Sequence, residues 1–89
     1  MRVVWDDAKQ QANLRKHGFD FIDVEQVFSG ITYTIEDKRF EYQEQRFITL
    51  GLLGEAVVVI THTETEKELR IISMRKATRN EQTIYFQNI

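Results

Sequence analysis

Between Arg46 and Arg75 the chain consists almost entirely of strand-forming residues interrupted at two places, which constrains the fold more than any other feature. The stretches 46–52, 56–62 and 68–75 are rich in β-branched and apolar residues and flank turns near Gly54 and Glu66. That pattern predicts three consecutive antiparallel strands. The middle stretch, Val57-Val58-Val59-Ile60, is apolar on both faces and therefore belongs at the centre of a sheet.

The flanking segments supply the layers that cover such a sheet. A strand is predicted at Val3-Val4-Trp5, followed by a helix with Asp7 as N-cap and Gln10 three residues on, the spacing of a capping box. Arg15, Lys16 and His17 fill its last turn, and Gly18 is suited to the left-handed stop. Phe19 before Asp20, with Val24 four residues after that cap, has hydrophobic-staple spacing, and Phe21, Val24 and Phe28 share one helical face. Ser29-Gly30 closes this second helix, and Ile31 to Ile35 begins a strand that turns near Asp37-Lys38. The run Phe40 to Gln43 fits either a return strand or a loop. Thr78 and Glu81 form a second capping box and open a C-terminal helix through Ile84 and Tyr85. The expected fold is α+β: a small antiparallel sheet with two N-terminal helices packed on one face and a C-terminal helix, in the order β-α-α-β-β-β-β-α. With no repeat, low-complexity segment or linker, residues 1–89 read as a single domain. A domain of this size buries only about 60–65% of its unfolded surface, so its core is thin.

Several function classes are disfavoured. Without cysteine there is no disulfide framework and no thiolate metal site. Asp6 and Asp7 are better explained as caps than as a metal site, and no spaced His or carboxylate cluster suggests an ion or other cofactor. The N-terminal Met-Arg-Val-Val-Trp-Asp-Asp meets charge before building an apolar signal core. The longest apolar run, Ala56 to Ile60, is too short to span a bilayer. A cytoplasmic location without membrane association is the expectation. A net charge of −2 argues against a generic nucleic-acid coat protein. The charge is nonetheless uneven: Asp20 to Glu44 is acidic, whereas Lys67, Arg70, Arg75, Lys76 and Arg79 make the last third basic.

Turns centred on Gly54 and Glu66 imply a register. Leu50, Val58 and Met74 form one row, Ile48, Ile60 and Ile72 the next, and Arg46, His62 and Arg70 a third on the same face. A slip of one residue exchanges every assignment. The last strand, Arg70-Ile-Ile-Ser-Met-Arg-Lys-Ala-Thr78, runs without a linker into the C-terminal helix. Strict alternation sets Arg70 and Arg75 on opposite faces. Its three cations exceed the needs of an interior strand and point to an anion such as RNA phosphate.

Several separate motifs together carry a family resemblance. Val-x-Trp-Asp-x-x-Lys at Val3 to Lys9, Asn-Leu-Arg-Lys-His-Gly at Asn13 to Gly18, the aromatic-rich helix ending Val27-Phe28, Glu-x-Arg at Glu44 and Arg46, and Arg-Ile-Ile-Ser-Met-Arg-Lys-Ala at Arg70 to Ala77 occur in this order over nearly the whole chain. The sequence resembles the BrnT family. The resemblance implies a toxin of a type II toxin-antitoxin pair, with a fold similar to RelE-type ribonucleases. Such a toxin cuts RNA to inhibit translation and is neutralised by a cognate antitoxin, usually a small protein that binds operator DNA. A higher-order toxin-antitoxin complex is a further expectation.

A metal-independent ribonuclease requires a base for the 2′-hydroxyl proton, cations for charge gathering on phosphorus, and an acid for the leaving oxygen. Arg46, Arg70 and Arg75 suit the cationic role because guanidinium is planar, permanently charged and matched to phosphate. The resemblance ranks Arg46 and Arg75 first. Glu44, His62 and His17 are the candidates for base and acid, each with an ordinary alternative: an ion pair with Arg46, a half-exposed strand position, and a helix-terminal cap. Lys16, Lys76 and Arg79 are candidate RNA contacts. Tyr85 either stacks on a base or buries its ring, and helical spacing favours burial. A catalytically silent module that forms a repressor complex with an antitoxin is the alternative function.

Overall fold

The computed structural model describes residues 2–39, 41 and 43–89. Five strands and three α-helices follow one another as β1 (Arg2–Trp5), α1 (Asp7–His17), a 3-10 turn (Phe21–Asp23) leading into α2 (Val24–Phe28), β2 (Tyr33–Glu36), β3 (Phe47–Leu53), β4 (Ala56–Glu64), β5 (Glu68–Lys76) and α3 (Arg79–Gln87). The strands form one sheet in the order β1-β5-β4-β3-β2, with β4 in the centre as its two-sided apolar run requires. The sheet is mixed rather than antiparallel throughout. β1 pairs parallel with β5, Val3 with Leu69 and Trp5 with Ile71, a contact between opposite ends of the chain that local pattern does not reveal.

The two faces carry separate cores. Phe21, Val24 and Val27 pack beneath the N-terminal helical layer against Val58, Ile60, Leu69, Ile71 and Met74, with Val3, Trp5 and Phe19 at the margin. On the other face Tyr85 and Ile84 of α3 cover Leu50, Val57 and Val59. Packing between α2 and β3 is close: a Cβ added at Gly51 would lie 2.6 Å from Val27 Cγ1.

Local signals explain the helix limits. Asp6, not Asp7, caps α1: its side chain accepts the Lys9 N–H at 3.1 Å, leaving Asp7 in the first turn, where its charge meets the positive helix end. The helix stops at Gly18, whose φ of 76° lets its N–H reach Leu14 O. Helix α1 docks through a polar residue. Buried Asn13 accepts the Met74 N–H at 3.0 Å and donates to Met74 O at 2.9 Å, replacing a neighbouring strand on β5 beyond the end of β1. The capping box of α3 forms as expected between Thr78 and Glu81.

The register differs from one centred on Gly54. Leu53 pairs with Ala56 across a two-residue turn in which Gly54 takes φ 61°, so Leu50 opposes Val59 and Phe47 opposes His62. That half-step moves every residue of β3 against β4, and the row Arg46-His62-Arg70 is not formed. Of Phe40 to Gln43, Phe40 and Tyr42 lie outside the described residues, while Glu41 and Gln43 belong to no strand.

Candidate functional site

A bulge in β5 determines which cations meet. Val59 pairs with Arg75 and Thr61 with Ser73, but the next pair is His62 with Ile71, leaving Ile72 as the extra residue. Thr63 then opposes Arg70. Because directly opposed residues share a face, Arg70, Ser73 and Arg75 all project to the side of Leu50 and Val59. The expectation that Arg70 and Arg75 occupy opposite faces assumed strict alternation and is corrected by this bulge.

Arg75, at the end of this row, is held from α3. Its Nη1 donates to Glu81 Oε1 at 2.7 Å and its Nη2 to Oε2 at 2.8 Å, a forked pair in which the side chains remain 36% and 25% exposed. This contact lowers the Glu81 carboxyl to a pKa of about 2, with help from the Thr78 backbone N–H, and raises that of Arg75. The positive charge of Arg39 opposes the latter shift, so a second guanidinium acts on Arg75. Arg39 is itself forked on buried Asp37, with Nε to Oδ1 at 2.9 Å and Nη2 to Oδ2 at 3.0 Å.

Arg46 immediately precedes β3. Its carbonyl accepts the Asp37 N–H at 2.8 Å, continuing the pairing of β2 with β3 and assigning Arg46 by alternation to the face of Ile48 and Leu50. Half-buried Arg46 and exposed Glu44 line one crevice of about 490 Å³ together with Glu36, Asp37, Lys38 and Glu41. The β2–β3 connection therefore brings a carboxylate and a guanidinium together at the end of the face that carries Arg70 and Arg75.

The two histidines are elsewhere. His62 is 0% exposed on the opposite face, stacked against Phe47 and edge-on to Phe28. Its Nε2 shares a 2.7 Å hydrogen bond with Thr49 Oγ1, which is in turn 2.7 Å from Thr34 Oγ1. Its Nδ1 lies 3.4 Å from Glu64 Oε1 without hydrogen-bond geometry. Burial pushes the imidazole pKa down to about 4, keeping the ring neutral near pH 7. His17 lies half-buried at the end of α1, beside Lys16, in a groove with Lys9, Asn13, Ile72 and Ser73. Lys76 is exposed at the end of β5 and Arg79 at the start of α3. Tyr85 is not available for stacking on a base: its ring is fully buried and its hydroxyl donates to Ile31 O at 2.7 Å.

Sequence reasoning passed over Glu81, Asp37 and Arg39. The capping-box position of Glu81 accounted for one role and concealed the other, since nothing in the spacing of residues 75 and 81 announces that a helix turns back onto its preceding strand. Among the described residues no group of three or more His, Cys, Asp or Glu side chains could hold a metal ion. No helix among them is long and apolar enough to cross a membrane.

A family model described as "Ribonuclease toxin, BrnT, of type II toxin-antitoxin system" matches residues 5–81. Comparison with curated proteins returns no match.

Proposed function

The chain belongs to the BrnT family of ribonuclease toxins of type II toxin-antitoxin systems, and from that premise we propose that it cleaves RNA without a metal ion at a guanidinium site centred on Arg75, with Arg46 and Arg70. The observation that carries this reading is the β5 bulge, which puts Arg70 and Arg75 on the same face of the sheet to which alternation assigns Arg46. In the proposed reaction the 2′-oxygen attacks phosphorus, its proton passes to a base, the P–O5′ bond breaks, and an acid protonates the departing oxygen. Guanidinium groups stabilise the charge that builds on the phosphoryl oxygens. Glu44 leads the candidates for base because it is exposed beside Arg46, whereas His62 lies beneath Phe28 and Phe47. Lys76, exposed at the end of β5, and Arg79, exposed at the start of α3, remain the candidates for further RNA contacts.

The partner follows the same electrostatics. A cognate antitoxin would silence the toxin by presenting carboxylates to Arg46, Arg70 or Arg75, and through that antitoxin the pair would reach operator DNA. Replacing the three arginines in turn should weaken the complex; unchanged affinity in all three rejects this arrangement.

The deciding experiment incubates partner-free protein with total RNA and a chelator, with Arg75→Ala, checked for folding by circular dichroism, alongside. Cleavage by the parent alone is the expected result. Equal cleavage by both removes Arg75 from the site, and no cleavage by either favours a module that only binds an antitoxin.

A further inference from the structure

We propose that Glu81 is a positioning residue for Arg75, holding the end-on edge of the guanidinium so that its Nε–Nη2 edge is presented to a substrate phosphate. The inference rests on the ribonuclease reading above and extends it to a residue outside the cationic row.

The hydrogen bonds of Glu81 exceed what a helix cap requires. A capping box needs one side-chain oxygen at this position, and Oε1 meets that need by accepting the Thr78 N–H at 2.9 Å. Oε1 also accepts Arg75 Nη1, and Oε2 accepts only Arg75 Nη2. The second oxygen contributes nothing to the cap. It completes a fork that fixes the plane and rotation of the guanidinium, which a single bond would leave free to swing.

The remaining donors of Arg75 support the same assignment. A guanidinium has five N–H donors arranged along three edges. Glu81 occupies the Nη1–Nη2 edge, and Lys76 O takes a weaker contact from Nη1 at 3.3 Å. Nε makes no hydrogen bond among the described residues and is not sealed from solvent. The Nε–Nη2 edge thus retains two N–H groups in the spacing that grips two phosphate oxygens. Both partners sit on rigid elements: Arg75 within β5, and Glu81 in the first turn of α3, which Tyr85 anchors to the sheet one turn later. Such a mount keeps the donors aligned while charge develops and avoids reorganisation during the reaction.

Glu81→Gln separates the two roles. Glutamine retains an oxygen for the Thr78 N–H, but its amide NH2 would replace the oxygen facing Arg75 Nη2, setting donor against donor and opening the fork. Cleavage of a defined RNA with chelator present is measured for the parent, Glu81→Gln, Arg75→Ala and the double variant, with thermal unfolding of each. The expected result is a fall in kcat of roughly ten- to a hundredfold in Glu81→Gln, with KM changed by less than about threefold. In the double variant, cleavage should equal that of Arg75→Ala. Thr78→Ala, which damages the cap alone, should lower the melting temperature more than it lowers kcat. Should Glu81→Gln fail to fold, Glu81→Asp serves instead, because it keeps the charge but is too short to complete the fork. Parent-like kcat in a folded Glu81 variant, faster cleavage, or a loss that adds in full to that of Arg75→Ala overturns the proposal. An inactive parent overturns the ribonuclease reading itself; an Arg75→Ala variant that cuts as well as the parent removes Arg75 from the site and overturns the role of Glu81 with it; a dead Arg75→Ala beside an unaffected Glu81 variant removes only Glu81.

Discussion

Arg70 and Arg75 share one face of β5 although they stand five positions apart, an odd spacing that would oppose them on a regular strand. The extra residue at Ile72 changes the phase between them, so one strand feeds the apolar core with Leu69, Ile71 and Met74 while keeping both cations on the other side. If Arg70 extends the RNA track that leads to Arg75, Arg70→Ala should weaken binding more than it slows the chemical step. Its signature is electrostatic: for one lost single-strand phosphate contact, the slope of log binding constant against log salt falls by about 0.7. Fluorescence anisotropy with an uncleavable 2′-deoxy oligonucleotide over a salt series measures this, and an unchanged slope removes Arg70 from the track.

Gly51 makes a different demand, for space rather than conformation. Its Cα side faces α2, and a methyl group there would meet Val27 Cγ1 at 2.6 Å and Thr32 Cγ2 at 3.2 Å. Gly51→Ala must push α2 away from β3 and should cost about 1–3 kcal/mol, the range for overpacked cores. Urea unfolding at neutral pH gives the value; a stability within 0.5 kcal/mol of the parent, roughly the ordinary surface range, would show that α2 shifts freely.

Burial of Tyr85 predicts a stability effect from a single oxygen. Its hydroxyl ties α3 to Ile31 O, connecting the helix to the segment that leads into β2. Tyr85→Phe leaves that carbonyl without its partner and should cost about 1 kcal/mol. A ring exposed for base stacking would give no such loss in thermal or urea unfolding.

These residues mark what can be read from a sequence of this kind. Gly18 and the Thr78-Glu81 box are local devices whose chemistry lies within a few residues, and both helix limits appear where expected. Strand identities in the last half were equally legible, since β4 declares its central place by being apolar on both sides. Register was not. Whether a hairpin turns on Gly54 or between Gly54 and Glu55 differs by half a step, and that half-step sets Phe47 rather than Arg46 beside His62, while the β5 bulge takes Arg70 to the other face. The bulge at Ile72 has no compositional marker, and the parallel pairing of β1 joins residues more than sixty positions apart. Asp6 and Asp7 are chemically equivalent as caps, so backbone geometry decides between them. The candidate cations could be named from sequence as residue types, but their common face follows from tertiary register.

His62 provides a pH test of the same register. Its folded pKa of about 4 lies below the ordinary 6.5 because burial disfavours the imidazolium. Above pH 6.5 the ring is neutral in both states and the full stability is present. As pH falls from 6.5 toward 4 the unfolded chain takes up a proton that the folded protein refuses, and stability declines. The limiting slope for one such proton is about 1.4 kcal/mol per pH unit. Glu64, 3.4 Å from Nδ1, is the carboxylate positioned to moderate this cost. Glu81 titrates lower still, with a folded pKa of about 2 against 4.5 for the free group, and its contribution is lost only as pH falls below 4.5. The interval from pH 6.5 to 5 therefore isolates the imidazole. Urea unfolding at half-unit steps should show stability falling through this interval in the parent. It should be nearly flat in His62→Gln, whose amide can still meet Thr49 but does not titrate. A parent as flat as the variant would mean that the imidazole reaches solvent when protonated, and would return His62 to the candidates for proton transfer.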